Sequence, residues 1–241
     1  MKAFTRRDLT IVPLESSTLV IACDSCGAVG SKDGDVLKLP PYYVGKFTSR
    51  VALTEGLCSG AKPITITNGV ACEMHPTGEE LISGIRDELE NAGFSDIVLT
   101  GSTEDNFKTN MTALAVTVVG INENNDLKFQ KAQKGDKLIL LGRPMVGSQV
   151  DLDNKGFYTQ IKQLISLSDV KEIVPVGSKG IKYEAEFLAK LSDSDIVLYK
   201  TDVDYNKSAG PATCLLVLCA DTAVKTVLFI CETATIIGEI L

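Results

Sequence analysis

The sequence predicts a mixed α+β / α/β protein with helix-backed sheets, and three observations carry that expectation. Apolar runs of strand length alternate with amphipathic helical stretches from the first residues onward. No repeat, heptad or low-complexity tract interrupts the alternation. At 241 residues the chain is long enough for one large domain or two modest ones, each with its own core.

Taken in order, Thr18-Leu-Val-Ile-Ala-Cys-Asp24 reads as a strand followed by the glycine-containing turn Ser25–Gly30. A helix is expected over Phe47–Ser59, with Phe47, Val51 and Cys58 near one stripe and Gly60 as its stop. Ile64–Val70 alternates as a strand does. Thr77-Gly-Glu-Glu80 has the form of a capping box. It opens a helix that buries Leu81, Ile85, Leu89 and Ala92 and closes at Gly93. Strands follow at 96–100 and Ala113–Val119. The hydrophilic stretch Asn122–Asp126 marks a boundary, giving domains 1–124 and 125–241. The second domain reads as a strand at Lys137–Gly142 and a helix carrying Phe157, Ile161, Leu164 and Ile165. Another helix carries Tyr183, Phe187 and Leu191, and further strands are expected near 172–176, 195–199, 214–219 and 226–231.

Composition excludes several functions. A net charge of −7 leaves no basic surplus for neutralising nucleic-acid phosphates. The apolar stretches fall far short of the roughly 20 residues needed to span a bilayer. Met1–Asp8 lacks the apolar core of a signal peptide, so a cytoplasmic protein is expected. Of the seven cysteines, Cys23, Cys72, Cys214, Cys219 and Cys231 sit in apolar runs, which suits reduced, buried thiols. Cys23-Asp-Ser-Cys26 is formally a C-x-x-C, but it lacks the second pair or histidines of a metal site.

Two acidic strand ends carry the chemistry. Carboxylates and hydroxyls beside flexible backbone are the groups that hold Mg²⁺ against a polyphosphate. The sequence has no Walker A motif, so a P-loop is not available for that task. Asp24 is either an Asx-turn cap or a metal ligand, with Asp33 and Asp35 close in sequence. Ser102-Thr-Glu-Asp-Asn106 is either a solvated loop or a set of oxygen ligands. Glu55 lies near the apolar stripe of its helix, and Arg50 is about 140° away around it. His75, the one histidine, stands beside Pro76, and no G-x-S-x-G elbow accompanies it. Ser208-Ala-Gly-Pro-Ala-Thr213 is a turn whose amides and hydroxyls could also meet an anion.

The ordered series of segments resembles the PurM-like family of AIR synthase, thiamine-monophosphate kinase, selenophosphate synthetase and hydrogenase-maturation ATPases. Arg7-Asp8-Leu-Thr occupies the place of the family's first aspartate. Ala22-Cys23-Asp24 matches its metal-binding strand end at the aspartate alone, and Thr54-Glu55 with Gly60-Ala-Lys-Pro63 matches its first helix with Glu for Asp. Thr100-Gly-Ser-Thr103 stands where the family has Gly-Gly-Asp-Thr, so Glu104 or Asp105 would replace the lost carboxylate. Lys134-Gly-Asp136 and Leu141-Gly-Arg-Pro144 resemble the start of the second domain, whereas Val176-Gly-Ser-Lys-Gly-Ile181 has lost that domain's carboxylates. Within the family, Arg7-Asp-Leu-Thr, Ala22-Cys-Asp-Ser25, Pro76-Thr-Gly78, Leu99–Glu104 and Ser208-Ala-Gly-Pro211 are similar to the α-ribazole kinases of cobalamin salvage.

The resemblance implies a ferredoxin-like N-terminal domain that pairs in a homodimer through its sheet, and a smaller C-terminal α/β domain. It implies ATP and Mg²⁺ as cofactors and a small molecule, α-ribazole or a related nucleoside or phosphate, as substrate. Metal ligation falls to Asp8, Asp24, Glu55 and Glu104, and nucleotide binding to Asp8, Lys32, Arg50, Gly101, Ser102, Thr103 and Glu104. Asp24, Arg143 and Lys179 are the expected catalytic residues, the two cations neutralising developing charge. The alternatives are another ATP-dependent enzyme of the family, an AIR-synthase-like ligase or thiamine-monophosphate kinase, and a nucleotide-binding module without turnover.

Overall fold

Residues 2–241 are described by the computed structural model, and they divide into two units. One comprises residues up to Leu57 with Ala61–Asp126, the other Cys58–Gly60 with Leu127–Leu241.

Period-two burial organises the first unit. Its strands are β1 (Phe4–Arg6), β2 (Leu9–Pro13), β3 (Thr18–Gly27), β4 (Val29–Gly30), β5 (Leu37–Lys38), β6 (Lys62–Val70), β7 (Val98–Thr103) and β8 (Ala113–Asn122). Six form a sheet in the order β1-β2-β3-β8-β6-β7, while β4 and β5 pair separately. Neighbours in the large sheet are antiparallel except β6 and β7, which are parallel. Strands β3, β6 and β7 therefore run the same way and end on the same side. Val20 and Ala22 of β3, Leu114, Val116 and Val118 of β8, and Ile66 and Val70 of β6 are buried on one face.

Helices α1 (Pro41–Cys58) and α2 (Glu79–Ala92) cover that face. α1 begins six residues before the expected start, because Pro41 supplies a helical φ where no amide bond is needed. It is buried nearly all round, polar residues included. Thr48 and Ser49 return their hydroxyls to the carbonyls of Val44 and Gly45 at 2.8 and 2.9 Å. The two helices cross at Gly45 and Gly84. A Cβ on Gly45 would lie 1.9 Å from the Leu81 carbonyl oxygen, and one on Gly84 1.9 Å from that of Tyr42. The capping box does not form: Gly78 is already helical, and Thr77 donates to Glu73 Oε1 at 2.5 Å. Gly93 ends α2 in the left-handed conformation, as expected.

The second unit contains β9 (Lys137–Gly142), α3 (Tyr158–Ile165), β10 (Val170–Pro175), α4 (Gly180–Lys190), β11 (Ile196–Leu198), β12 (Cys214–Cys219), α5 (Val224–Ile230) and β13 (Thr235–Ile240). Its sheet is antiparallel throughout, in the order β10-β12-β9-β13-β11. Leu138, Leu140, Leu216 and Leu218 pack with Ile181, Ala185 and Leu188 of α4. The expected strand at 226–231 is helix α5. Its β-branched residues suggest a strand, but the buried positions Ala223, Val227 and Cys231 are spaced by four and Phe229 is exposed. The strand completing the sheet is β13, between β9 and β11. Among the described residues no helix is long and apolar enough to cross a membrane.

Candidate functional site

The register of the first sheet places the predicted residues. Asp24 pairs with Val116, Val116 with Asn68, and Asn68 with Gly101. These four share the helix-covered face in one row near the ends of β3, β6 and β7. Three strand spacings, about 14 Å, separate its two ends.

At one end, Asp24 lies within β3, which continues to Gly27, and not at the expected turn. Burial raises its pKa to about 6; the Ser25 amide partly opposes the rise, and the negative charge of Asp8 adds to it. Asp8 occupies the turn between β1 and β2, with a 75% exposed side chain. Two carboxylates thus face each other's charge, one exposed and one partly desolvated. Mg²⁺ suits this donor set, because it commonly takes one or two carboxylates together with phosphate oxygens and water.

Glu55 does not join them as a free ligand. Arg7 Nη1 donates to Glu55 Oε2 at 2.9 Å in a mostly buried ion pair. Glu104 folds back on its own loop, accepting from the amides of Asn106 and Phe107 at 2.8 and 3.2 Å. Asp105, the other substitute carboxylate, accepts from Met74 N at 3.0 Å and Thr103 Oγ1 at 2.6 Å, and these bonds lower its pKa. Among the described residues no three His, Cys, Asp or Glu side chains gather as a metal-ligand group. Of the four carboxylates expected to hold a metal, Glu55 and Glu104 accept hydrogen bonds from the protein, while Asp8 and Asp24 lie within reach of each other's charge.

The expected phosphate-binding cations are engaged elsewhere. Arg50 grips Glu88 of α2 through Nε and Nη2 at 2.6 and 2.9 Å, with both side chains buried. This places it between the helices, away from a solvent-accessible phosphate site. Lys32 Nζ donates to Glu73 Oε2 at 2.5 Å and to the Thr109 carbonyl at 3.4 Å. Asp35, nearby, is buried, but bonds from Thr112 and Lys32 outweigh that burial and lower its pKa. Asp35 is therefore a structural anchor. In the second unit, the exposed Arg143 pairs with Asp202 at 3.0 Å. Lys179 lies 4.3 Å from the Tyr183 ring centroid.

Other residues resolve simply. His75 Nδ1 is 2.9 Å from Glu79 Oε1 on the surface. Thr213 Oγ1 bonds Met145 N and O, so the 208–213 turn is held internally. Cys23 is exposed, contrary to its apolar setting in sequence, and Cys23 and Cys26 point to opposite faces of β3. Burial pushes the thiols of Cys214 and Cys219 up to about 12.

At the other end of the row, Gly101, Ser102 and Thr103 belong to edge strand β7. They help line a cavity of about 180 Å³ with Asn68, Met74, Ile82, Arg86, Leu99 and Thr100. Asn68 Nδ2 donates to the Thr100 carbonyl at 3.2 Å. A Cβ on Gly101 would lie 2.4 Å from Asn68 Oδ1, so glycine is what admits this contact. The sequence reading overlooked Asn68 and Arg86. Asn68 was detectable as a polar residue at a buried position of an alternating strand; nothing sets Arg86 apart from other helix-surface arginines.

Residues 7–122 match the family described as AIR synthase related protein, N-terminal domain. No curated protein matches the chain by sequence. Among solved structures, Thermotoga maritima PurL complexed with ADP aligns with 100% of this chain at 14% identity and a TM-score of 0.73. The same protein complexed with ATP aligns over 96% at 14% identity and a TM-score of 0.70. The chain spans 42% of PurL in each case. HypE from E. coli, a hydrogenase maturation protein, aligns over 92% of this chain and 79% of its own, at 16% identity and a TM-score of 0.70. Residues 7–122 are thus similar to that N-terminal domain, and the chain shares its fold with PurL and HypE.

Proposed function

We propose that the protein is an ATP-dependent phosphotransferase of the PurM-like superfamily, with the 5′-hydroxyl of α-ribazole as acceptor. The observation that carries the ATP-using part is the Asp8–Asp24 pair in a fold shared with a protein solved in complex with ATP. The acceptor rests on the sequence resemblance quoted above.

In this reading Asp8 and Asp24 hold Mg²⁺, which when bound neutralises phosphate charge. A cation held there would offset the burial that raises the Asp24 pKa and, to a lesser degree, the charge of Asp8. Ser102 and Thr103 are proposed to contact the nucleotide. Glu55, tied to Arg7, fixes the turn that carries Asp8 against α1. The acceptor oxygen bonds to the γ-phosphorus, the bond to the ADP oxygen breaks, and the hydroxyl proton leaves to solvent. Such a transfer depends on positioning and charge neutralisation and needs no protein nucleophile. Arg143 and Lys179 are the cations proposed to assist, each to be tested by substitution with alanine. A homodimer through the open sheet face is proposed on the half-buried Leu19, Ile21, Val119 and Ile121.

The test is transfer of label from γ-labelled ATP to purified α-ribazole, by the wild-type chain and by Asp24→Asn. Transfer that is lost in the variant supports the assignment. Full activity in the variant removes Asp24 from the mechanism, and no wild-type transfer to this acceptor removes α-ribazole. One rival is a nucleotide-binding module without turnover. Mg-ATP raising the melting temperature with no turnover on any acceptor would decide for it.

A further inference from the structure

We infer that Arg7 is a positioning residue for the acidic pair: tied to Glu55, it holds the turn that presents Asp8 to Asp24, so that removing this positive charge weakens cation binding. The inference rests on the reading of Asp8 and Asp24 as ligands of a divalent cation, and it names what sets their separation.

The backbone supplies the first argument. β1 and β2 are joined by Arg7 and Asp8 alone, with Arg6 paired to Leu9. Two-residue hairpins need a positive φ in the turn and favour Gly, Asn or Asp there. Arg7 takes that conformation, with φ 51°, where the Cβ of an L-residue crowds the following carbonyl oxygen. A contact outside the hairpin must hold a conformation that this residue type disfavours. That contact is Arg7 Nη1 donating to Glu55 Oε2 at 2.9 Å, with the two side chains 7% and 11% exposed. A hydrogen-bonded charge pair so far removed from water is held more firmly than one on the surface. Glu55 also stands on a fixed base, since Ala52, Leu53 and Leu57 near it on α1 are all buried.

The geometry of the pair is the second. β2 and β3 pair from Pro13 with Thr18 through Leu9 with Ala22. The turn at 7–8 therefore lies beside the next residues of β3, Cys23 and Asp24. The charge of Asp8 reaches Asp24 across that gap. Arg7 Nη2 lies 3.9 Å from Asp8 Oδ2, and the Asp8 side chain is 75% exposed. One side of the guanidinium is thus buried against α1, while the other flanks Asp8 and leaves it open to an ion. Mg²⁺ demands near-octahedral geometry with ligands at about 2.0–2.1 Å, so a turn released from α1 loses the required spacing. Electrostatics alone predicts the opposite result. Taking away Arg7 removes a cation near the site and releases the Glu55 carboxylate, and both changes would tighten metal binding.

Mn²⁺ takes the same oxygen donors as Mg²⁺. It is titrated into the full 241-residue chain near pH 7.5, and the free ion is counted by its electron paramagnetic resonance signal. Melting temperatures without metal are read separately. Arg7→Gln is expected to bind Mn²⁺ about tenfold more weakly than wild type, and Arg7→Lys to fall between them. Glu55→Gln should match Arg7→Gln, and the double variant should be no weaker than the weaker single, because the two residues act as one unit. Tighter binding by Arg7→Gln overturns the inference and makes Glu55 a ligand that Arg7 holds back. Unchanged binding, whatever the melting temperature, overturns it too and leaves the ion pair a structural brace. Losses that add in the double variant overturn it as well. If Arg7→Gln does not fold, Arg7→Lys gives the same test of sign, since it keeps the charge and lacks the fork. Wild type that binds no Mn²⁺ removes the acidic-pair reading itself, whereas wild-type binding that Arg7→Gln leaves intact removes this inference alone.

Discussion

Two places in the first unit desolvate charge, and they treat it in opposite ways. Between α1 and α2, Arg50 and Glu88 are 2% and 0% exposed at the side chain, and each meets its opposite through two hydrogen bonds. At the end of β3, Asp24 is partly buried beside another carboxylate, and its pKa rises to about 6. The first arrangement satisfies itself and has nothing to offer a ligand. The second carries a cost that a cation would relieve, which is how perturbed carboxylates mark binding sites. Burial of charge alone therefore does not indicate function; its neutralisation inside the protein is what separates the two.

The largest effect should come from breaking the self-satisfied pair. Glu88→Gln leaves Arg50 charged and without its carboxylate, an expected loss of about 3–5 kcal/mol. Urea denaturation measures it, and a loss below about 1 kcal/mol would mean that the pair does not hold the helices together. The helix crossing comes next. Gly84→Ala puts a methyl group 1.9 Å from the Tyr42 carbonyl oxygen, so the helices must separate, at an expected cost of about 1–3 kcal/mol. A neutral result would place the crossing wider than the structure has it.

Much of this scaffold was legible in the sequence. Strands Lys137–Gly142 and Cys214–Cys219 and the left-handed stop at Gly93 were readable because apolar runs and terminal glycines encode them locally. The start of α1 was hidden by its prolines, and α5 by β-branched residues whose burial is set by a tertiary surface. At the candidate site, the sequence offered Asp8 and Asp24 as acidic residues, and the fold shows that the charge of one acts on the other. The partners of the other charges were not legible. Arg50 and Glu88 are 38 residues apart, Arg7 and Glu55 are 48 apart, and no local pattern announces either pair. The sequence supplies the list of carboxylates; only the fold shows which are already neutralised.

The smaller and more diagnostic effects belong to Asp24. Its folded-state pKa, about 6, lies above the ordinary value of 3.8. Between those values the folded state binds more protons than the unfolded one, so stability falls as pH rises through the window and the cost is fully present above it. Asp24→Asn removes that cost. Discounted for the solvent that still reaches the group, the gain is about 1 kcal/mol, or about 2–4 °C in melting temperature near pH 7.5. The gain should shrink as pH falls from 6 toward 4, where the wild-type carboxyl is also neutral. Mg²⁺ at pH 7.5 should recover part of the same stability in wild type and none in the variant, because the ion neutralises the same partly buried charge. Scanning calorimetry of both proteins across this pH range, with and without Mg²⁺, separates the two explanations of the acidic pair. If Asp24→Asn destabilises at pH 7.5, the carboxylate is a structural acceptor like Asp35; if it stabilises but Mg²⁺ acts equally on both proteins, the strain is real and the metal binds elsewhere.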